Sequence, residues 1–340
     1  MNRKPRIRKS VTIQDVAEEA GVSVSTVSRV LNDKDDVAPE TYERVQQVIN
    51  HLGYVSSLAA RGMRSRKTNV IGLIMPDVAS PYSVAIMQGV NKAIAQMDYD
   101  LIIYTNGDVR KNNSADQESY YVSLLNGNVT DGVIVVTPAA ANFSTAAPVV
   151  AIDPNNESPE CPSIISTNHE GALQAMEYLI GLGHKRIGFI TGRLELESAS
   201  RRLQGYKDGL AAAGIPFDEQ LIQEGDYTTD TAVGCTRALL ALSSPPTAIF
   251  ASNDMSAMGV YQAAESLGMK IPQDLSVIGF DNLPEASYLY PALTTVDQFI
   301  SGMGTLAMET IDKLVNGEDL EKNLHKIMTE LVLRDSCRVI

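Results

Sequence analysis

Between Asn69 and Leu314 this 340-residue chain alternates continuous apolar runs with stretches of helical period, and no other feature restricts its fold as much. The runs VIGLIM, DLIIYTN, GVIVVTP and APVVAID are apolar at successive positions. Strands buried on both faces of a parallel sheet have this composition. Helical periodicity lies between most of them, first over 83–97. After Thr167 the series resumes with a helix over 171–182, then RIGFIT, a helix over 203–213, PTAIFASND, a helix over 255–267 and SVIGFDN. Two successive runs predict two similar doubly wound α/β lobes. A last strand and helix over 295–314 is expected to return the chain to the first lobe. Such lobes face each other across a cleft where strand C-termini meet, the usual ligand position in open α/β sheets.

The stretch VTIQDVAEEAGVSVSTVSRVLN, residues 11–32, is of a different kind. Ile13, Val16, Ala17 and Ala20 recur at helical spacing and predict a short helix over 13–20. Gly21 supplies a turn, since only glycine takes a left-handed conformation without steric cost. Ser23 caps a second predicted helix to Leu31, whose inner face is Val27, Val30 and Leu31. Two helices joined by a glycine turn form a helix-turn-helix, whose second helix enters the DNA major groove. Val24, Ser25, Ser28 and Arg29 are left facing outward. Arg29, one turn after Ser25, is placed to fork onto a guanine edge. An ordinary helical bundle with a polar outer face would carry the same motif, so the residues beyond Asn32 decide between the two.

A polar turn over 33–38 leads to Pro39 and a third helix marked by Tyr42, Val45, Val48, Ile49 and Leu52, which Gly53 ends. The head is therefore expected over 1–55, opening with a basic arm over 1–11. A basic hinge over 56–68 comes next, SSLAARGMRSRK with its flank, in which Gly62 weakens a helix by about 1 kcal/mol relative to alanine. Residues 69–340 form the expected core. Its first lobe spans about 69–166 and 296–326, and its second about 167–295 and 327–340.

Charge divides along the same line. Residues 1–67 hold 12 Lys and Arg against 8 Asp and Glu, while the remainder holds 16 against 33. Positive charge suited to phosphate contact thus sits only in the N-terminal segment. The three cysteines (Cys161, Cys235 and Cys337) are odd in number and far apart, as free thiols in a reducing compartment would be. No apolar run is long enough to span a bilayer and no secretion signal is recognisable, so the expected location is the cytoplasm. The histidines lack metal spacing, Gly181-Leu182-Gly183 ends a helix instead of opening one, and neither a phosphate loop nor a nucleophile elbow is present. No cofactor and no metal are expected.

Polar residues gather instead at strand ends. Asp153 follows PVVAI, Asn253 and Asp254 follow AIFAS, and Asp281 and Asn282 follow VIGF. Arg202 lies just before a predicted helix and Tyr227 in a loop after Gly225-Asp226. Each of these residues taken alone is more often a helix cap or loop residue, but their common place at the strand C-termini of two facing lobes favours a ligand site. Carboxylates, an amide and an arginine fork hold hydroxyls, and an aromatic face covers the apolar side of a sugar ring.

With these motifs in hand, the sequence resembles the lactose/galactose-repressor family of bacterial transcription regulators over essentially its whole length. The resemblance rests on TIQDVAEEAGVSVSTVSRVLN, LAARGMR, LGHKRIGFITG, SRRLQGY, FASNDMSAMGVYQA, LSVIGFDN, LTTVDQ and TELVLRDS, in that order. It implies a helix-turn-helix head, a hinge helix and a two-lobed core like the sugar-binding proteins of the periplasm, acting as a homodimer on a pseudo-palindromic operator. It also implies base contacts from Val24, Ser25 and Arg29, phosphate contacts from Thr26, Ser28 and Asn32, and hinge contacts from Arg61 and Met63. For the effector it implies Tyr82, Ser83, Asp153, Arg202, Tyr227, Asn253 and Asp281. Three positions depart from the family pattern. Ser57 stands where the hinge usually opens with asparagine, Met63 replaces the leucine that wedges into the minor groove, and Ser83 replaces a frequent aromatic. With no leucine-heptad tail after Arg334, the expected assembly is a homodimer.

The leading expectation is a repressor of carbohydrate-use genes whose operator affinity a sugar lowers. A purine- or other metabolite-responsive corepressed regulator is the alternative within the family. A solute receptor of a transport system would share the core but has no use for the head, and an enzyme would need a nucleophile–base pair that the sequence does not show.

Overall fold

The computed structural model describes residues 11–32, 34–54, 67–105, 114–127, 129–156 and 160–340. The expected basic arm and most of the hinge, with Ser57, Arg61, Gly62 and Met63, lie outside the described residues. The chain divides at Thr68/Asn69 into two compact units.

In the first unit α1 (Ile13–Ala20) and α2 (Val24–Leu31) fall where the periodicity places them, and α3 (Pro39–Leu52) comes after them. Local chemistry explains the match. Thr12 and Asp15 form a reciprocal capping box, and Ser23 accepts from the Thr26 amide. Gly21 and Gly53 take left-handed conformations where the helices stop. Val16, Val27, Val30 and Val45 are the most deeply buried residues of the small core between the three helices.

The second unit holds two six-stranded sheets. The first contains β1 (Val70–Met75), β2 (Asp100–Thr105), β3 (Gly132–Val136), β4 (Val149–Ile152), β5 (Ser163–Ser166) and β11 (Leu324–Ile327), in the order β11-β5-β4-β3-β1-β2 and all parallel. The second contains β6 (Ile187–Thr191), β7 (Ile222–Glu224), β8 (Ala248–Ala251), β9 (Ser276–Asp281), β10 (Thr294–Asp297) and β12 (Glu330–Val332). Its order is β12-β10-β9-β8-β6-β7, with only β12 antiparallel to its neighbour. Helices α4 (Pro81–Met97), α5 (Ser114–Leu124), α6 (Asn168–Gly181), α7 (Glu197–Ala212), α8 (Thr229–Leu240), α9 (Asp254–Ser266) and α10 (Ile300–Val315) join the strands.

One expectation is corrected. The strand beginning near Thr295 does not return to the first lobe: β10 pairs with β9 and β12 in the second sheet. It is α10, beyond it, that packs against the apolar core of the first lobe, through Met303, Ala307, Met308 and Ile311. The chain thus passes between lobes three times, near Thr167, Gln298 and Thr329. The three crossings are tied together: Thr167 and Thr329 share a hydroxyl pair at 3.0 Å, and Ser166 donates to Gln298 at 2.9 Å. None of the described helices is long and apolar enough to cross a membrane.

Candidate effector cleft and DNA-reading helix

In the second unit all seven residues expected at the effector site line one cavity of about 590 Å³ between the lobes. Its floor is built from strand ends. Thr137 follows β3, Asp153 follows β4 and Asp281 ends β9, and all three have positive φ, as does Tyr227 after β7. Non-glycine residues adopt that conformation at a cost, and such residues cluster where side chains must be aimed at a ligand.

Arg202, on α7, is the centre of the site. Its Nε donates to the Asn168 Oδ1 at 2.8 Å and its Nη1 to the Ser252 carbonyl at 2.5 Å. The guanidinium lies over the Phe280 ring, 3.8 Å from the centroid, and Nη1 is 3.9 Å from Asp281. Both ends of the pair are buried. Asp281 also accepts from the Gln298 amide at 2.5 Å, and Gln298 in turn accepts from Ser166. A continuous chain of contacts therefore runs from Arg202 through Asp281 to two of the three lobe crossings.

Burial pushes the Asp281 carboxyl up to about 7, against the pull of Arg202 and the Gln298 hydrogen bond. Burial likewise raises Asp153, opposed by Arg202 and by Ser198. Both carboxyls are poorly solvated, and donors from a ligand would relieve that. Among the described residues the buried Tyr82 hydroxyl has no hydrogen-bond partner and the Tyr227 hydroxyl has Ser198 beside it; both line the cavity, whereas Ser252, also buried and unpaired, does not. Such groups cost free energy until something pairs with them. Burial raises the Tyr82 and Tyr227 phenols further above their ordinary value, so both stay protonated as donors. Tyr227 lies against Gly192, where any side chain would collide with its ring.

Two of the expected residues are also engaged within the chain. Asn253 caps α9 through the Ser256 amide and donates to the Tyr227 carbonyl, so its polar atoms already hold the Tyr227 loop in place. Ser83 is buried and paired with Ser80 at the start of α4. Sequence reasoning missed Asn168, Phe280 and Gln298, as well as Ser198 and Arg193 on the cavity wall. The LTTVDQ motif contained Gln298, but nothing in the motif tied that residue to Asp281.

In the first unit Val24, Ser25, Arg29 and Asn32 are exposed, while Thr26 and Ser28 are half-buried. Ser25 and Thr26 share the Ser23 hydroxyl at 2.7 and 2.9 Å. Asn32 turns its amide back to the Ser28 carbonyl at 2.5 Å. Arg29 extends from the last turn of α2 with 59% of its side chain accessible.

Residues 12–57 match the bacterial regulatory proteins of the lacI family, and residues 176–337 match a periplasmic binding protein-like domain. Catabolite control protein A of Priestia megaterium is 32% identical over 97% of this chain and 100% of its own length. The ribose operon repressor of Haemophilus influenzae is 34% identical over 96% of each chain. Among solved structures, the lac repressor dimer bound to operator and the anti-inducer ONPF superposes with a TM-score of 0.82 at 26% identity, covering 97% of this chain and 100% of that one. Helix-turn-helix head, two-lobed core and relatives 32% and 34% identical over nearly the whole chain agree: the chain belongs to the lacI family of bacterial regulatory proteins and is a DNA-binding transcription regulator.

Proposed function

We propose that this protein is a cytoplasmic, homodimeric repressor of carbohydrate-use genes, and that a neutral mono- or disaccharide in the cleft lowers its operator affinity. In this reading residues 1–55 bind DNA, 56–68 form the hinge and the remainder senses the effector. The cleft binds its ligand without turning it over. The observation that carries the effector class is the pair of buried phenols, Tyr82 and Tyr227, that line the cavity together with Arg202 and Asp281, that of Tyr82 unpaired among the described residues. A sugar offers hydroxyls to all of these and an apolar ring face to the tyrosines. The Haemophilus relative, by its name, represses a ribose operon.

Base contacts are assigned to Val24, Ser25 and Arg29, with phosphate contacts from Thr26, Ser28 and Asn32. Arg61 and Met63 are assigned to the hinge contact with the minor groove. Two heads on a two-fold axis read an inverted repeat. Lobe closure on a sugar alters the spacing of the two hinge segments, and Gly62 makes those segments costly to order as helix. A ligand moves this equilibrium only by its differential affinity for the two states.

A purine corepressor is the second reading. Tyr82 and Tyr227 enter the cavity from opposite lobes and could enclose a flat base. Gel-shift titration on DNA from the protein's own promoter, with a panel of sugars and of purine bases, separates the two. The proposed function predicts weaker binding with at least one sugar. Tighter binding with a sugar would overturn induction, and a response to purines alone would overturn the effector class.

A further inference from the structure

The head carries a feature that its assigned DNA contacts do not use. The turn after α2 folds back on Arg29: the amides of Asn32 and Lys34 both donate to the Arg29 carbonyl, at 3.2 and 3.1 Å. This brings Asp36 beside the Arg29 side chain, with its Oδ2 3.6 Å from Nε. The two line one groove with Ser23, Thr26, Thr41 and Arg44.

We propose that Asp36 is a positioning residue that aims the Arg29 guanidinium at a base edge and keeps it off the phosphates. The inference rests on Arg29 reading a base, as assigned above. A guanidinium is planar, and a carboxylate near Nε leaves the two terminal nitrogens free. Those two form the fork that matches O6 and N7 of guanine. An unrestrained arginine at a protein surface is equally able to swing onto a phosphate, which gives affinity without sequence information. A carboxylate beside it repels phosphates and lowers that alternative. Asp36 thus trades general DNA affinity for discrimination, a form of selection against wrong sites. Arg44 shares the groove with no ion-pair partner among the described residues, and it remains available to the backbone.

The test uses the full chain and a double-stranded DNA library with randomised inverted-repeat half-sites. After selection, affinities are measured for the winning site, its single-base-pair variants and random-sequence DNA. Arg29→Ala first identifies the base pair whose preference it relaxes. Asp36→Asn is expected to lower discrimination at that same pair roughly five- to tenfold, a part of what one bidentate contact supplies, while tightening binding to random DNA. Asp36→Glu should retain most of the discrimination. In the Arg29→Ala background, Asp36→Asn should still tighten random binding but leave discrimination unchanged. If Arg29→Ala relaxes one position and Asp36→Asn does not, the positioning role is overturned while Arg29 keeps its role. A loss of discrimination that persists without Arg29 would overturn it equally. If Arg29→Ala relaxes no position, the reading of Arg29 fails and takes this inference with it.

Discussion

The DNA-reading helix and the effector cleft hold their key arginines in opposite ways. Arg29 stands more than half exposed, held by one carboxylate at 3.6 Å. Arg202 is buried, with two hydrogen bonds, an aromatic ring beneath it and Asp281 beside it. On the proposed function the difference reflects what each must meet. A surface that reads DNA has to keep its cation solvated until a base displaces water, and pairs so exposed contribute little to stability. A cleft that responds to a small neutral ligand needs its polar groups preset, because a ligand of that size cannot also supply the energy to order them. Changes at Arg202 should therefore be felt by the fold, and changes at Arg29 by DNA alone.

Arg202→Met probes the contrast most strongly. It leaves the Asn168 side-chain oxygen and the Ser252 carbonyl buried without their donor, at about 1–3 kcal/mol for each polar group left unpaired, and takes the cation from beside Asp281. Urea unfolding should show this loss in the core. Arg29→Ala should stay within about 0.5 kcal/mol in the same experiment, as surface changes usually do. Equal effects of the two would erase the distinction between the arginines.

Gln298→Leu comes next. It deprives Asp281 of its donor and Ser166 of its acceptor at a lobe crossing, a penalty of about 1–3 kcal/mol for buried polar groups left unpaired. Beyond destabilising, it should reduce the effect of the sugar on operator affinity, measured as the ratio of dissociation constants with and without it. An unchanged ratio would show that the contact chain to the crossing transmits nothing.

The third prediction concerns pH. The Asp281 carboxyl sits at about 7 in the folded protein, above its ordinary value. The folded state therefore binds the proton that the unfolded chain releases, and stability should fall as pH rises from about 4 to 7. Sugar hydroxyls favour the carboxylate, so sugar affinity should run the other way. It should rise with pH and level off above 7, changing by up to about tenfold per pH unit below that point. Calorimetric titration from about pH 5.5 to 8.5 brackets the ionisation and checks this, and Asp281→Asn should flatten the profile. A profile that stays steep in that variant would assign the titration elsewhere.

The smallest effect lies in the head. Thr12→Ala removes half of the capping box of α1 and should cost about 1 kcal/mol of head stability, visible in the unfolding of the head and absent from sugar binding. A change in sugar affinity would contradict independent roles for the two units.

What was legible in the sequence tracks the range of the interactions. The head helices could be bounded because their stops are local: Thr12 with Asp15, Ser23 with Thr26, Gly21 and Gly53. Asp153 and Asp281 were legible because a polar residue after an apolar strand marks a sheet's C-terminal edge. The partners of Arg202 were not, since Asn168 and Phe280 come from elements that only the topology brings together. The same holds for Gln298 with Ser166, 132 residues apart. Short strands of mixed character, such as LHKI and ELV, carry no usable period, and nothing within TTVD says which sheet it joins. Pairing decided that, through β9 and β12.

On the proposed function, the buried constellation around Asp281 sets the operator affinity delivered by an otherwise independent head. An operator titration at fixed salt tests this without intermediaries, with and without the sugar that most raises the melting temperature, for the parent protein and for Asp281→Asn. Sugar should weaken operator binding by the parent, while Asp281→Asn should bind the operator as tightly as the unliganded parent and no longer respond to sugar. An Asp281→Asn protein that still releases the operator at the same sugar concentration would contradict the role given to Asp281.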